Sequence, residues 1–228
     1  LFVTSSILVS PMNFFSNKDF QLNESWNIVN IPWKDSEILF IDDIYKYPEK
    51  IYQYLNSVNS IVTHKSCKGS LNGIDFMDGQ MLLDNRWDLH RKYLLESIAN
   101  NYNLEVDLQT APHTINQFRL INDVPKERHW HPHIDGQLNF IIFLNPTHHM
   151  KSGTSLYTPC NTKAKSYSSK VDTEHTSPWK TYKQFKEDLC ILDRFNCGVV
   201  FPGKWFHGQT IVDDFFKQTT RFTEVTFL

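Results

Sequence analysis

Glu127-Arg-His-Trp-His-Pro-His-Ile-Asp-Gly136 runs directly into Gln137-Leu-Asn-Phe-Ile-Ile-Phe-Leu-Asn145. On a β-strand, residues i and i+2 point to the same face. Leu138, Phe140, Ile142 and Leu144 therefore form one wholly apolar face, suited to packing against helices. Gln137, Asn139, Ile141 and Phe143 form the other face, and they share it with His133 and Asp135 provided no bulge intervenes. Both faces are largely buried. An imidazole and a carboxylate two residues apart thus look into a β-rich interior, where both can reach one cation.

Downstream, Phe201-Pro-Gly-Lys-Trp-Phe-His-Gly-Gln209 presents a second histidine, His207, after a turn and between aromatic residues. Two histidines and one carboxylate on one side of a metal suit a non-haem Fe(II) that keeps open positions for a co-substrate and oxygen. Arg221-Phe-Thr223 then sets a cation and a hydroxyl on one strand face, a pair suited to gripping a carboxylate. A guanidinium on an inner face demands an anionic partner, because an unpaired buried charge is very costly.

The ordered set His133-x-Asp135, His207 and Arg221-x-Thr223 resembles that of the 2-oxoglutarate- and Fe(II)-dependent oxygenases. Leu138 to Asn145, Ser152-Gly-Thr-Ser-Leu-Tyr157 and the closing Arg221-Phe-Thr-Glu-Val-Thr-Phe-Leu228 are similar to that family too, so the likeness spans residues 113–228. Within the superfamily the chain looks most like a branch found in bacteria and phages. The resemblance implies an α+β chain built on a double-stranded β-helix (jelly-roll) barrel with flanking N-terminal helices. It implies Fe(II) on His133, Asp135 and His207, with 2-oxoglutarate as co-substrate and O2 as oxidant. The far carboxylate of 2-oxoglutarate would meet Arg221 in a two-pronged contact, supported by Thr223. Hydroxylation of a substrate, with release of succinate and CO2, is the implied outcome; halogenating relatives lack the carboxylate that Asp135 supplies. Some relatives place a tyrosine on the strand after His-x-Asp to help hold the far carboxylate. Phe143 stands there instead, and Asn139, or Asn116 and Gln117, are its candidate substitutes.

The chain divides into an N-terminal part, 1–112, that packs on a core, 113–228, within one compact domain. Residues 1–36 read as an arm, and Met12 makes the opening residues an alternative start or a trimmed end. Ile38-Leu-Phe-Ile41 reads as a buried strand. Pro48 to Val58 reads as an amphipathic helix with Ile51, Tyr54, Leu55 and Val58 on one face. Residues 63–80, with Gly69, Gly73 and Gly79, read as a loop or loose hairpin, either covering a site or merely connecting. Arg86 to Asn101 is a second expected helix, with Leu89, Tyr93, Leu94 and Ile98 as its stripe. Ile115 to Ile121 is the first expected core strand. Residues 158–188 interrupt the strands, and Ser177-Pro178 signals a helix to about Leu189. An insert of this kind reads as a lid or substrate-recognition element, with a plain solvated loop as the alternative.

Composition narrows the function classes. With 23 basic and 25 acidic residues the net charge is −2, which gives no broad basic surface for nucleic acid, although a local patch stays open. The 17 Phe, 9 Tyr and 6 Trp against 8 Gly favour a packed, β-rich protein. Cys67, Cys160, Cys190 and Cys197 match no zinc spacing. Reduced thiols in a cytoplasmic protein are expected, with a Cys190–Cys197 bridge as the alternative in an exported one. No apolar run approaches a membrane span, and the first ten residues lack a basic leader, so the chain reads as soluble with no membrane partner.

Period two extends upstream through His131 and His129, and His131-Pro-His133 resembles the His-x-His of cupin metal sites. No Glu follows at the cupin distance, and Pro132 disturbs regular pairing, so His131 is read as lining the entrance. Three readings follow: a 2-oxoglutarate-dependent dioxygenase, a cupin-like metal protein or dioxygenase that does not use 2-oxoglutarate, and a non-enzymatic jelly-roll binding module. A small molecule, a peptide or a nucleobase all remain open as substrate.

Overall fold

The computed structural model describes residues 16–57, 63–71, 74–82, 95–96, 98–100, 102, 113–120, 128–130, 132–146, 152–160, 179–181, 185–210 and 219–227. Antiparallel strands dominate it, with few helices. The strands are β1 (Asn27–Trp33), β2 (Ser36–Asp42), β3 (Thr63–Leu71), β4 (Ile74–Leu82), β5 (His113–Leu120), β6 (Arg128–Trp130), β7 (Leu138–Phe143), β8 (Gly153–Pro159), β9 (Trp179–Thr181), β10 (Phe185–Leu192), β11 (Cys197–Pro202), β12 (Phe206–Thr210) and β13 (Arg221–Phe227). Helix α1 spans Pro48–Ser57, and a short 3-10 turn spans Asn17–Phe20.

The major sheet has eight strands in the order β1-β2-β11-β7-β13-β5-β4-β3. A second sheet has the order β10-β8-β12, and β6 pairs with β9 alone. The alternation that defines β7 decides the layering. Ile141 and Phe143 join Ile38, Val199, Phe201 and Val225 of the major sheet against Leu156 and Ile191 of the second sheet, with Trp205 between them. Leu138, Phe140, Ile142 and Leu144 face the opposite way, onto Ile51, Tyr54 and Leu55 of α1 and onto Leu95 and Ile98. Each such side chain contributes about 1.5–3 kcal/mol when fully buried. The polar face that a half-exposed sheet would show is therefore missing from β7, as the sequence requires.

Several expected elements take other forms. The arm expected over residues 1–36 becomes, within its described part, strand β1 of a hairpin with β2. Asn27-Ile-Val-Asn-Ile-Pro-Trp33 is rich in β-branched residues, and Pro32 is tolerated because β1 lies at the sheet edge. Lys34 makes the turn at φ 52°. Of the two forms expected for residues 63–80, the described part takes the hairpin: β3 and β4 pair antiparallel, with a register shift between Thr63 and Lys65, and β4 pairs on with β5. The second helix falls mostly outside the described residues, but 95–96 and 98–100 are helical, and Leu95, Ile98 and Ala99 are buried. The helix expected to run from Ser177 to about Leu189 is replaced in its described part by β9 and β10. Residues Phe185 to Leu192 pair with β8 and close its open edge, and Phe185 packs on Tyr157 and Phe206. That tertiary pairing overrides the local Ser-Pro signal for a helix. Residues 161–178 of the insert lie outside the described residues.

Candidate metal centre

His133 and Asp135 do not sit on a regular strand. They lie in the segment just before β7, which is docked onto the β11–β12 turn by its backbone. His133 N donates to His207 O at 2.8 Å, and His207 N returns the bond to His133 O at 2.9 Å. Asp135 N donates to Gly203 O at 2.9 Å, and Gly203 N donates to Gln137 O at 2.9 Å. Gly203 must be glycine here, because a Cβ would run into the Gly136 carbonyl. Gln137, expected on the inner face, is exposed, while Asn139, Ile141 and Phe143 are buried.

This docking brings the three expected ligands together. One ligand atom from each of His133, Asp135 and His207 lies within 4.8 Å of the others. Asp135 Oδ2 is 3.0 Å from His207 Nε2 and 3.4 Å from His133 Nε2. The His133 and His207 rings are 4.4 Å apart at their centroids, and Phe201 packs edge-on to His207 at 5.1 Å.

The tautomer of His207 follows from its second nitrogen. Nδ1 lies 2.9 Å from Trp205 O, a carbonyl that can only accept, so Nδ1 carries the proton in the neutral ring. The lone pair of Nε2 then faces the Asp135 carboxylate. Burial, and next the charge of His133, hold the His207 pKa below 6.5, against the opposing pull of Asp135 and Trp205 O. Burial works to raise the Asp135 carboxyl, but a hydrogen bond from His133 and the imidazoles crowded beside it outweigh burial and hold it well below the usual carboxylate range. With Nδ1 carrying the proton, the His207 Nε2 lone pair and the Asp135 carboxylate face each other across 3.0 Å and can both be satisfied by one shared cation. The donor set fits a divalent metal, and a backbone carbonyl holding the far side of a ligating histidine is the usual second support.

Asn139 stands over the same point. It is fully buried; its Nδ2 lies 3.1 Å from His207 Nε2, and its Oδ1 has no hydrogen-bond partner among the described residues. His131 and the side chains of Asn116 and Gln117 lie outside the described residues.

Arg221 and Thr223 are buried on the inner face of β13, with Phe143 opposite Thr223 and 5.9 Å below the guanidinium. The anionic partner that Arg221 demands is Asp193, just past β10. Nε donates to Asp193 Oδ2 at 3.2 Å and Nη2 to Asp193 Oδ1 at 3.0 Å. Nη2 also donates to Gly153 O at 3.1 Å, and Nη1 to Gln209 Oε1 at 3.2 Å. Sequence reading missed Asp193, which is one turn aspartate among many. Gln209 was findable, since it lies two residues beyond His207 and so shares its strand face.

Among the described residues, no disulfide joins Cys160, Cys190 and Cys197, and no helix is long and apolar enough to cross a membrane.

No protein-family model matches the chain, and no curated protein does. Among solved structures it is similar to AviO1 from Streptomyces viridochromogenes Tue57, at 14% identity over 78% of each chain, with a TM-score of 0.41. It is also similar to the Fe(II)/α-ketoglutarate-dependent dioxygenase TqaL, at 9% identity over 83% of this chain and 81% of that one, with a TM-score of 0.39. Likeness of this degree assigns neither substrate nor activity, so the chemistry rests on the side chains themselves.

Proposed function

We propose that this chain is an Fe(II)- and 2-oxoglutarate-dependent dioxygenase on a jelly-roll scaffold, hydroxylating a substrate not yet identified. The observation that carries the reading is the convergence of a neutral His207 Nε2, the Asp135 carboxylate and His133 Nε2 on one point. Three ligands on one side leave the remaining positions to small molecules. Fe(II), when bound, would supply the redox chemistry that couples O2 and a 2-oxo acid to C–H oxidation, with succinate and CO2 as co-products.

The chain's own contributions are positional. Trp205 O fixes the His207 tautomer, so that a lone pair and not a proton meets the metal. The paired backbone bonds between His133 and His207 fix the separation of the two imidazoles. Asp135 supplies a negative charge that partly balances the divalent ion. Phe201, Ile141 and Trp205 keep water away from the inner side of the site. Asn139 offers an amide to whatever occupies the position beside His207.

The test is anaerobic loading with Fe(II) and 2-oxoglutarate, then oxygen exposure with metabolite and peptide libraries. Substrate-dependent succinate release is the expected result. The bidentate hold of Asp193 on Arg221 favours one competitor, a cupin-like metal enzyme without 2-oxoglutarate. Turnover with no 2-oxo acid requirement would establish that competitor.

A further inference from the structure

The guanidinium of Arg221 has five N–H donors in a fixed plane. Nε uses its only hydrogen on Asp193 Oδ2. Nη2 uses its two, on Asp193 Oδ1 and on the Gly153 carbonyl. Nη1 gives one hydrogen to Gln209 Oε1, and among the described residues its other hydrogen has no acceptor. A ligand carboxylate therefore cannot take the two-pronged grip that a bare arginine offers. It can meet Nη1 alone.

Charge points the same way. The Arg221 and Asp193 side chains are 6% and 7% exposed and form a buried pair of zero net charge. An arriving carboxylate meets a neutral cluster and not a lone cation, so much of the Coulomb advantage of a charged tail over an uncharged one is lost. The group next to Nη1 is the Gln209 amide. It is half-buried, it lies on the inner face of β12 between His207 and Arg221, and its own N–H2 has no acceptor among the described residues.

Resting on the co-substrate reading above, we propose that Gln209 and Asp193 set the distal specificity of the site. The far end of a 2-oxo acid is read as a hydrogen-bond acceptor, by Nη1 of Arg221 and the Gln209 amide, with Asp193 holding the opposite edge of the guanidinium. Such a site accepts 2-oxo acids with an oxygen at the far end and distinguishes weakly between a carboxylate and an uncharged carbonyl. Gln209 is a specificity-determining contact, and Asp193 is a positioning residue that sets the charge.

The experiment uses the full chain loaded anaerobically with Fe(II), and calorimetric titration with 2-oxoglutarate and with its 5-methyl ester, which keeps the oxygen but not the charge. The wild type is expected to prefer the diacid by less than about tenfold, whereas a free charge-assisted pair would give more. Asp193→Asn keeps the shape, removes the internal anion, and should widen that preference by about tenfold or more, mainly by tightening the diacid. Gln209→Glu puts a second carboxylate beside Nη1, and should abolish diacid binding while sparing the ester. An unchanged ratio in Asp193→Asn overturns the proposal. If that variant does not fold, undiminished diacid binding by Gln209→Glu overturns it. Iron binding without affinity for either 2-oxo acid, in any of the three proteins, defeats the co-substrate reading itself and this inference with it.

Discussion

His133 and His207 exchange both of their backbone hydrogen bonds, at 2.8 and 2.9 Å, so two imidazoles from distant parts of the chain are fixed in register before any metal arrives. Preorganisation of this kind makes the ligand set an all-or-none unit. His133→Ala, Asp135→Ala and His207→Ala should each reduce bound iron from about one per chain to a small fraction, since loss of one of three ligands removes the closed side of the site. His131→Ala should keep most of the metal, because His131 is read as lining the entrance only. Metal analysis of the four purified variants checks this; stoichiometric iron in His207→Ala would remove the triad.

Gly203 gives a second handle on the same docking. A methyl group there meets the Gly136 carbonyl, and the displaced segment is the one that carries Asp135. Gly203→Ala should lower stability by about 1–3 kcal/mol, the usual cost of overpacking. It should also weaken metal binding by roughly 10–100-fold, as support-shell changes do. Denaturant unfolding and a competition titration with a chelator measure the two effects separately.

How much of this was legible beforehand depends on whether the information is local. The two faces of β7 could be read because their period is written in consecutive residues, and the layering follows from them. The strand identity of Phe185 to Leu192 could not be read, since the partner that decides it is β8 and the local Ser177-Pro178 signal pointed to a helix. The same holds within the site. His133, Asp135 and His207 carry chemistry in their types and flanks, whereas Asp193 gains its role only because a turn after β10 ends beside Arg221. The sequence called for an anion at Arg221; it did not say that the protein supplies its own.

That internal pair has a stability consequence. Removing one partner of a buried ion pair leaves an uncompensated charge, at a cost of about 3–5 kcal/mol. Arg221→Met and Asp193→Leu should each be destabilised by that order, and the double variant should recover much of the loss because no charge is then stranded. A double-mutant cycle by urea unfolding reads this directly. Additive losses would mean that the two side chains do not depend on each other.

Acid should weaken the metal-free protein through the same residues that bind metal. Burial holds the folded His207 below its ordinary value of 6.5, so as pH falls through that value the unfolded chain takes up a proton that the folded chain refuses. Stability then falls with pH, by at most about 1.4 kcal/mol per unit for one such group. Asp135 acts in the same direction further down, because its stabilisation is present above 3.8 and lost as pH falls through the depressed folded value. Urea midpoints of the metal-free wild type and His207→Asn, compared from about pH 8 to pH 5, should converge toward the acid end as the histidine's contribution is lost. A gap that widens toward acid would show instead that the folded chain holds the His207 proton more tightly than the unfolded chain.

Asn139 separates stability from function most sharply. Its amide is fully buried, one end donates to His207 Nε2 at 3.1 Å, and Oδ1 has no partner among the described residues. A buried polar atom left unsatisfied costs about 1–3 kcal/mol, a burden that a structural residue would not be expected to keep. Once a cation takes the Nε2 lone pair, even the existing bond is lost, and the whole amide is turned over to whatever binds beside the metal. Asn139→Leu keeps the volume and removes the orphan oxygen. Its metal-free form should be as stable as the wild type or more so, and iron should still bind, since none of the three ligands is touched. Affinity for 2-oxoglutarate should nevertheless fall by about tenfold, the worth of one good hydrogen bond. Thermal unfolding and anaerobic titration of the same preparation give both numbers. Reduced stability with unaltered co-substrate affinity would make Asn139 a brace for His207 and nothing more.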